Sequence, residues 1–310
     1  MSLIKKANEL EIPTNIKMMV YGQAGTGKST YALSAPSPVL FDFDGGIKRI
    51  AKEHLEKVGI VPIVSWQDVL DVLSSEDLSP YQTIVIDTIG KMMDYIISYK
   101  CGLRTPAIKD WNGINTEFSN FIKRISALNK HIIFIAHRDM RKEGDETVFI
   151  PSLREKTYAS IVTELDLLGY MEMRTENGIT RRTITFDPTA RNDGKNTCNL
   201  PSIMEISVII DKSGKTLQEN DIILRSVIVP YLSMLQLKKA EAGKYESVMK
   251  EIREQVELVT DEISANDFIS RIDNFEHIGS SKAAASRLLH TKAISLGLSL
   301  NKNKKYERAA

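Results

Sequence analysis

The chain has 310 residues, 42% hydrophobic and 26% charged, with a net charge of +1. That is enough for one large domain plus a smaller one with a substantial core, and the near-neutral charge excludes a global pull towards nucleic acid or anionic membrane, so any basic site is a local patch. Two cysteines, Cys101 and Cys198, exclude a disulfide framework, and no stretch approaches 18 apolar residues.

In chain order, the N-terminal MSLIKKANELEIPTN lacks the apolar core of a signal peptide. Together with the cysteine usage this predicts a cytoplasmic protein with no membrane association. Ile16–Tyr21 (IKMMVY) reads as a buried strand, followed by a Gly-rich turn and a short helix over Lys28–Ser34 stopped by Pro36 and Pro38. Val39–Phe43 is a second strand and Ile60–Val64 a third. Ser65 is the expected cap of a helix over Trp66–Leu73. Thr83–Ile86, ending at Asp87, is a fourth strand, followed by helices over Ile89–Tyr99 and Ile114–Leu128. His131–Ala136 is a fifth strand. Short apolar strands alternating with helices predict an α/β fold with a mainly parallel sheet covered on both faces.

The pattern then changes. Leu165–Met173 and Ile179–Phe186 alternate polar and apolar around Asn177-Gly178, which predicts a hairpin extending the sheet in antiparallel sense. Residues 187–200 read as a polar loop. From Gln218 onward only helices are expected: Ile222–Lys239, kinked or split by Pro230, then Tyr245–Val259, Ala265–Phe275 and Ser281–Leu296. The expected division is a P-loop domain over 1–215 and a helical accessory domain with a basic tail over 216–310.

Gly22-Gln23-Ala24-Gly25-Thr26-Gly27-Lys28-Ser29 fits GxxxxGK(S/T). Glycines let the backbone curl so that successive N–H groups point at phosphate oxygens. Lys28 is expected to reach the β- and γ-phosphates, Ser29 to ligate Mg²⁺, and Thr30 to extend the contact surface. The motif lies between a predicted strand and a predicted helix, which is the context it requires. Asp87, at the end of an apolar strand, is the expected second Mg²⁺ partner. The guanine signature is missing, since Asn129-Lys130-His131-Ile132 lacks the Asp; together with the resemblance given below, this makes ATP the expected nucleotide. Thr88 follows Asp87 where AAA-type ATPases place Glu. The base must therefore come from elsewhere, and Asp44, in VLFDFDGG, is preferred to Asp42 as the group that orients and deprotonates water.

The order GQAGTGKST, VLFDFDGG, TIVIDTIG, HIIFIAHRD resembles a RecA-like ATPase core. More closely, it is similar to the phage P-loop nucleotide-binding proteins, the RecA-like branch of phage single-strand annealing and recombination proteins. Ser65-Trp66, Lys109-Asp110-Trp111, Ala136-His137 and Gly194-Lys195-Asn196 share in that resemblance, which covers residues 12–210. It implies an ATPase that binds single-stranded DNA and assembles with further copies in a ring or filament, in the host cytoplasm. The helical region, outside the resemblance, reads only as an accessory module, for oligomer contacts, for DNA or for a partner such as a single-strand binding protein. By the same resemblance Asp44 stands where RecA proteins carry Glu, His137 takes the γ-phosphate sensor position, and Lys195 or Arg191 serves as a finger acting on a neighbour's nucleotide.

The resemblance also implies two DNA loops. The first, Lys100–Trp111, offers Lys100, Arg104, Lys109 and a stacking Trp111. The second, Arg138–Glu146, offers Arg138, Arg141 and Lys142 against four acids. The tail Asn301–Arg308 adds four positive charges with Tyr306 among them. Two alternatives stand beside this reading. One is a nucleotide-gated assembly factor that does not hydrolyse ATP, suggested by the shorter Asp44. The other is a P-loop kinase, which needs an Arg-rich lid and an acceptor pocket that the sequence does not display.

Overall fold

The structure, a computed structural model, describes residues 13–176, 179–211 and 213–308. The chain divides into two compact units, residues 13–232 and residues 233–308.

The first unit is built on a ten-stranded sheet. Its strands are β1 (Lys17–Gly22), β2 (Pro38–Asp42), β3 (Gly59–Pro62), β4 (Thr83–Asp87), β5 (His131–Glu143), β6 (Glu146–Pro151), β7 (Leu167–Glu176), β8 (Ile179–Thr185), β9 (Lys195–Asn196) and β10 (Ile203–Glu205). The order is β10-β8-β7-β1-β5-β4-β2-β3, with β6 paired to β5 and β9 to β7. From β7 to β3 along this path every neighbour is parallel, while β8, β10, β6 and β9 add antiparallel edges. This is the mainly parallel α/β sheet with an antiparallel extension that the strand and helix pattern predicted.

Alternation along each strand sorts side chains onto two faces. Met19, Tyr21, Phe41, Ile84, Ile86, Ile132 and Phe134 enter one apolar layer beneath α2 (Trp66–Ser75), α3 (Ile89–Cys101), α4 (Asp110–Ser126) and α5 (Glu155–Glu164). Met18, Val20, Leu40, Val85, Ile133 and Ile135 enter the other layer, covered by α1 (Lys28–Ala32) and by residues 222–228. Both faces are dry, which is why these strands read as continuous apolar runs. Ser65 caps α2 in a reciprocal capping box with Asp68, as predicted.

Several expectations are corrected. β7 is antiparallel to β8 and to the short β9, but it lies parallel to β1 on its other side. The expected Asn177-Gly178 turn falls outside the described residues. In the stretch expected as a loop, Arg138–Glu146, residues Arg138–Glu143 continue β5 and pair with β6, and Gly144-Asp145 makes the turn into Glu146. Its polar run hides the strand, because a two-stranded ribbon with both faces exposed imposes no apolar alternation. Helix α5 was not predicted, since it buries only Thr157 and Ile161.

The two expected helices Ile222–Lys239 and Tyr245–Val259 are instead a π-helical turn, Leu224–Ile228, running into one continuous α6 (Val229–Glu257). Pro230 disturbs only the turn before it, where the missing N–H and the ring are accommodated by that wider turn. Gly243 costs the helix interior about 1 kcal/mol, too little to break it. The division between units falls after Leu232 rather than near 215, because Ile222, Ile223, Val227 and Ile228 are buried in the sheet's second layer.

The second unit packs the C-terminal part of α6 with α7 (Glu262–Arg271), α8 (Ser281–Ser295) and a small hairpin, β11 (Leu298–Leu300) and β12 (Tyr306–Arg308). Ile252, Phe268, Leu289 and Tyr306 share its core. The tail was expected as a free basic run with an available tyrosine. Tyr306 is buried, and its backbone N–H and carbonyl are both held by the Asn266 side chain. Among the described residues no helix is long and apolar enough to cross a membrane.

Candidate nucleotide site

Parallel pairing puts the carboxyl ends of β1, β2, β4 and β5 on one edge of the sheet, and register decides what faces what there. Gly22 lies opposite His137, Asp42 opposite Asp87, and Asp87 opposite Ile135. Segments far apart in sequence thus converge on one crevice beside the Gly22–Ser29 loop.

The loop's shape depends on its glycines at two places. A Cβ on Gly22 would overlap the Met171 carbonyl of β7, and Gly27 sits at φ 88°, in the left-handed region. Thr26 closes the turn with a hydroxyl bond to the Gln23 carbonyl. Lys28 folds back along the loop, its Nζ donating to the carbonyls of Gly22 at 3.1 Å and Gln23 at 2.8 Å. Burial pushes its pKa down, while Asp87 and Asp44 pull it up. A desolvated ammonium held only by carbonyls matches the charge of a phosphate chain.

Ser29 Oγ donates to Asp87 Oδ2 at 2.5 Å. Asp87 is 5% exposed, and burial pushes its carboxyl above the ordinary carboxylate range against the bond from Ser29. Two hard oxygen donors in contact, one of them a buried carboxylate in need of positive charge, fit Mg²⁺. The helix after β4 is capped by Thr88, whose hydroxyl accepts from the Lys91 N–H, so Asp87 is not spent as the cap.

The two acids at the end of β2 have different surroundings. Asp42 is buried and accepts the N–H groups of Gly46 and Ile47, an internal turn brace. Asp44 faces the crevice, with its Oδ2 3.7 Å from His137 Nε2, close enough for charge pairing but longer than a direct hydrogen bond. His137 holds the Asp44 carboxyl below its usual range, with Lys91 and the Thr88 hydroxyl adding to the effect. The Asp44 side chain is 16% exposed and that of His137 is 52% exposed. Beyond them opens a groove of about 500 Å³ whose lining includes Lys91, Asp94, Asp139 and Arg154.

The remaining candidates lie away from this crevice or are engaged within the chain. Lys195 Nζ donates to the Val162 and Thr163 carbonyls at 2.9 and 3.2 Å, closing the end of α5. Arg191 bridges to Glu172 at 3.3 Å and lies over Phe149. In the first expected DNA loop, Lys100 pairs with Glu117 at 2.6 Å, and Arg104 forms a two-pronged pair with Asp110. Trp111 is covered by the Arg154 guanidinium 3.4 Å from its ring centroid, and Lys109 is exposed ahead of α4. In the β5–β6 hairpin, Arg138 donates to Tyr170 and lies over Phe149, Arg141 pairs with Glu143 and Asp193, and Lys142 is exposed. One residue at the loop was not predicted: Arg182 of β8, whose guanidinium packs on Gly27. Nothing local in RRTIT marks it, since only the β7–β8 pairing brings it there.

Residues 14–198 match the family model described as AAA domain. No curated protein sequence matches the chain. Among solved structures, the flagellar accessory protein FlaH from Methanocaldococcus jannaschii is similar at 16% identity, with 65% of this chain and 93% of that one covered and a TM-score of 0.37. A KaiC-like protein from Pyrococcus horikoshii OT3 is similar at 13% identity, covering 55% and 77%, with a TM-score of 0.35. At these scores neither likeness informs the site, which rests on this chain's own geometry.

Proposed function

The chain belongs to the AAA domain family, and on that premise we propose that it binds ATP with Mg²⁺ at Gly22–Thr30 and hydrolyses it, coupling nucleotide state to single-stranded DNA. The observation that carries the reading is the 2.5 Å contact between Ser29 and the buried Asp87 at the mouth of the loop, with Asp44 and His137 beside it. Ser29 and Asp87 would hold the Mg²⁺, which would supply positive charge against the phosphate chain.

Lys28 binds the phosphate chain once it exchanges its carbonyl partners for phosphate oxygens. Asp44 is ionised at neutral pH, so it orients a water for attack on the γ-phosphorus. The water oxygen bonds to phosphorus, the bond to the β,γ-bridging oxygen breaks, ADP leaves, and the proton passes by way of Asp44 to solvent. His137 reads the γ-phosphate. It lies on the same strand that continues without a break into the β5–β6 hairpin, so a shift at His137 is passed along a hydrogen-bonded ribbon to Arg138, Arg141 and Lys142. That continuity, with the motif resemblance to annealing proteins, supports the DNA part of the proposal and assembly of further copies on the strand.

The groove beside Asp44 and His137 favours a second reading, phosphoryl transfer to a small acceptor. One set of measurements tests both: Mg²⁺-dependent ATP turnover with and without single-stranded DNA, and anisotropy of a labelled oligonucleotide at two salt concentrations. Oligonucleotide-stimulated release of phosphate to water supports the proposal. Turnover that needs an added small acceptor replaces it with the transferase. Tight ATP binding with no turnover leaves a nucleotide-gated assembly factor.

A further inference from the structure

Arg182 differs from the arginines that lie around it on β7, β8 and the β5–β6 hairpin. Arg141, Arg174, Arg181 and Arg191 each pair with a carboxylate, and Arg138 donates to Tyr170. Among the described residues, the Arg182 side chain makes no hydrogen bond and no ion pair, and its Nε is fully buried without a partner. A guanidinium with its donors unused in a partly dry setting is costly. Burial also pulls its pKa down, with no carboxylate offsetting it.

Its position identifies what would satisfy it. Arg182 pairs with Met173 on β7, and the side chain reaches back to the P-loop. A Cβ on Gly27 would stand 3.1 Å from Arg182 Cζ, 3.2 Å from Nε and 3.4 Å from Nη1, so the guanidinium packs on the Gly27 backbone. Ile184, two residues on along β8, shares an apolar layer with Tyr31 and Ala32 of α1, which puts Arg182 on the α1 face of the sheet. Ser29, Asp87, Asp44 and His137 occupy the side of β1 towards β5, β4 and β2, whereas Arg182 arrives from the opposite side, over β7 and β8. A triphosphate with its γ end at Asp87 and Asp44 therefore runs its nucleoside end past Gly27 towards Arg182.

We propose that Arg182 is a nucleotide ligand supplied by the same chain, its planar fork binding non-bridging oxygens of the α- and β-phosphates. The assignment rests on the ATP reading of the P-loop. Those phosphates are common to ADP and ATP, so Arg182 serves affinity for both and does not discriminate the reacting γ-phosphate.

The test is equilibrium binding of fluorescent ADP and of a non-hydrolysable ATP analogue to the wild type, Arg182→Gln, Arg182→Lys and Lys28→Ala. Loss of charge-assisted hydrogen bonds predicts about ten- to a hundredfold weaker binding of both nucleotides by Arg182→Gln, with the same factor for each. Arg182→Lys recovers part of it, and kcat at saturating ATP is unchanged. The nucleotide-free Arg182→Gln protein melts at or above the wild-type temperature, because a desolvated charge has been removed. If Arg182→Gln and Arg182→Lys bind ADP like the wild type while Lys28→Ala loses binding, Arg182 is not a ligand. A lowered melting temperature with unchanged affinity makes it a packing residue, and a lower kcat with unchanged ADP affinity moves it to the transition state, each overturning the assignment. If Lys28→Ala itself binds like the wild type, it is the P-loop reading that fails.

Discussion

Two regions of the sheet unit attract attention by their charges, the P-loop mouth and the segment Lys100–Trp111, and the fold treats them in opposite ways. At the mouth, Lys28 is held by carbonyls, Asp87 by one hydroxyl, and Arg182 by nothing among the described residues. Between α3 and α4, Lys100 is matched by Glu117, Arg104 by Asp110, and Trp111 lies under Arg154. A ligand site keeps polar groups whose full partners come from outside. A charged segment whose partners lie within the chain has little left to offer a phosphate backbone.

The largest expected effect concerns the mouth. Asp44→Asn should lower kcat by about 10²- to 10⁴-fold with ATP affinity retained, as measured by phosphate release at saturating ATP. A variant that hydrolyses at the wild-type rate removes Asp44 from the chemistry. Next, Lys28→Ala should abolish the stabilisation that ATP confers, about 2.7 kcal/mol at a hundred times the dissociation constant. An unchanged ATP-induced shift in melting temperature would mean that the open polar groups are not a nucleotide site.

Asp87→Asn should weaken Mg²⁺-dependent nucleotide binding by about 10- to 100-fold, the scale of losing one partner of a metal site. It also carries a pH signature. Burial raises the folded-state pKa of Asp87, so the folded protein holds a proton that the unfolded chain has released. That contribution to stability is complete below the ordinary carboxylate pKa and is lost as pH rises through the raised value. Nucleotide-free wild type should therefore lose stability with rising pH relative to Asp87→Asn, and a parallel pair of melting curves would contradict the burial argument.

The smallest effect concerns the other region. The bond from Arg104 holds the Asp110 carboxyl down at about 2, against an ordinary 3.8. Its contribution is present above the ordinary value and is lost as pH falls towards 2. Arg104→Gln should flatten the acid limb of a melting-temperature profile over that window and leave oligonucleotide affinity unchanged. A large drop in that affinity would show that the segment's charges are available after all, and the contrast between the two regions would fail.

Much of the site was legible because it is local. The P-loop is eight consecutive residues whose chemistry requires fixed spacing, and the acid of Asp87 closes an apolar strand. β1, β2, β4 and the first half of β5 were readable for a similar reason, since burial on both faces writes a continuous apolar run. The β5–β6 hairpin and α5 were not, because surfaces that are exposed or thinly covered impose no such pattern.

What the sequence by itself determined is the nucleotide loop, the apolar central strands and the two acids at the end of β2, each written in one unbroken stretch of chain. Tertiary structure alone decided that Asp42 braces a turn while Asp44 faces His137, that Lys195 closes a helix, that Trp111 is covered, and that Arg182 rests on Gly27. Those outcomes depend on strand order and register, which bring together residues separated by tens to more than a hundred positions, and no periodicity along the chain encodes such a meeting.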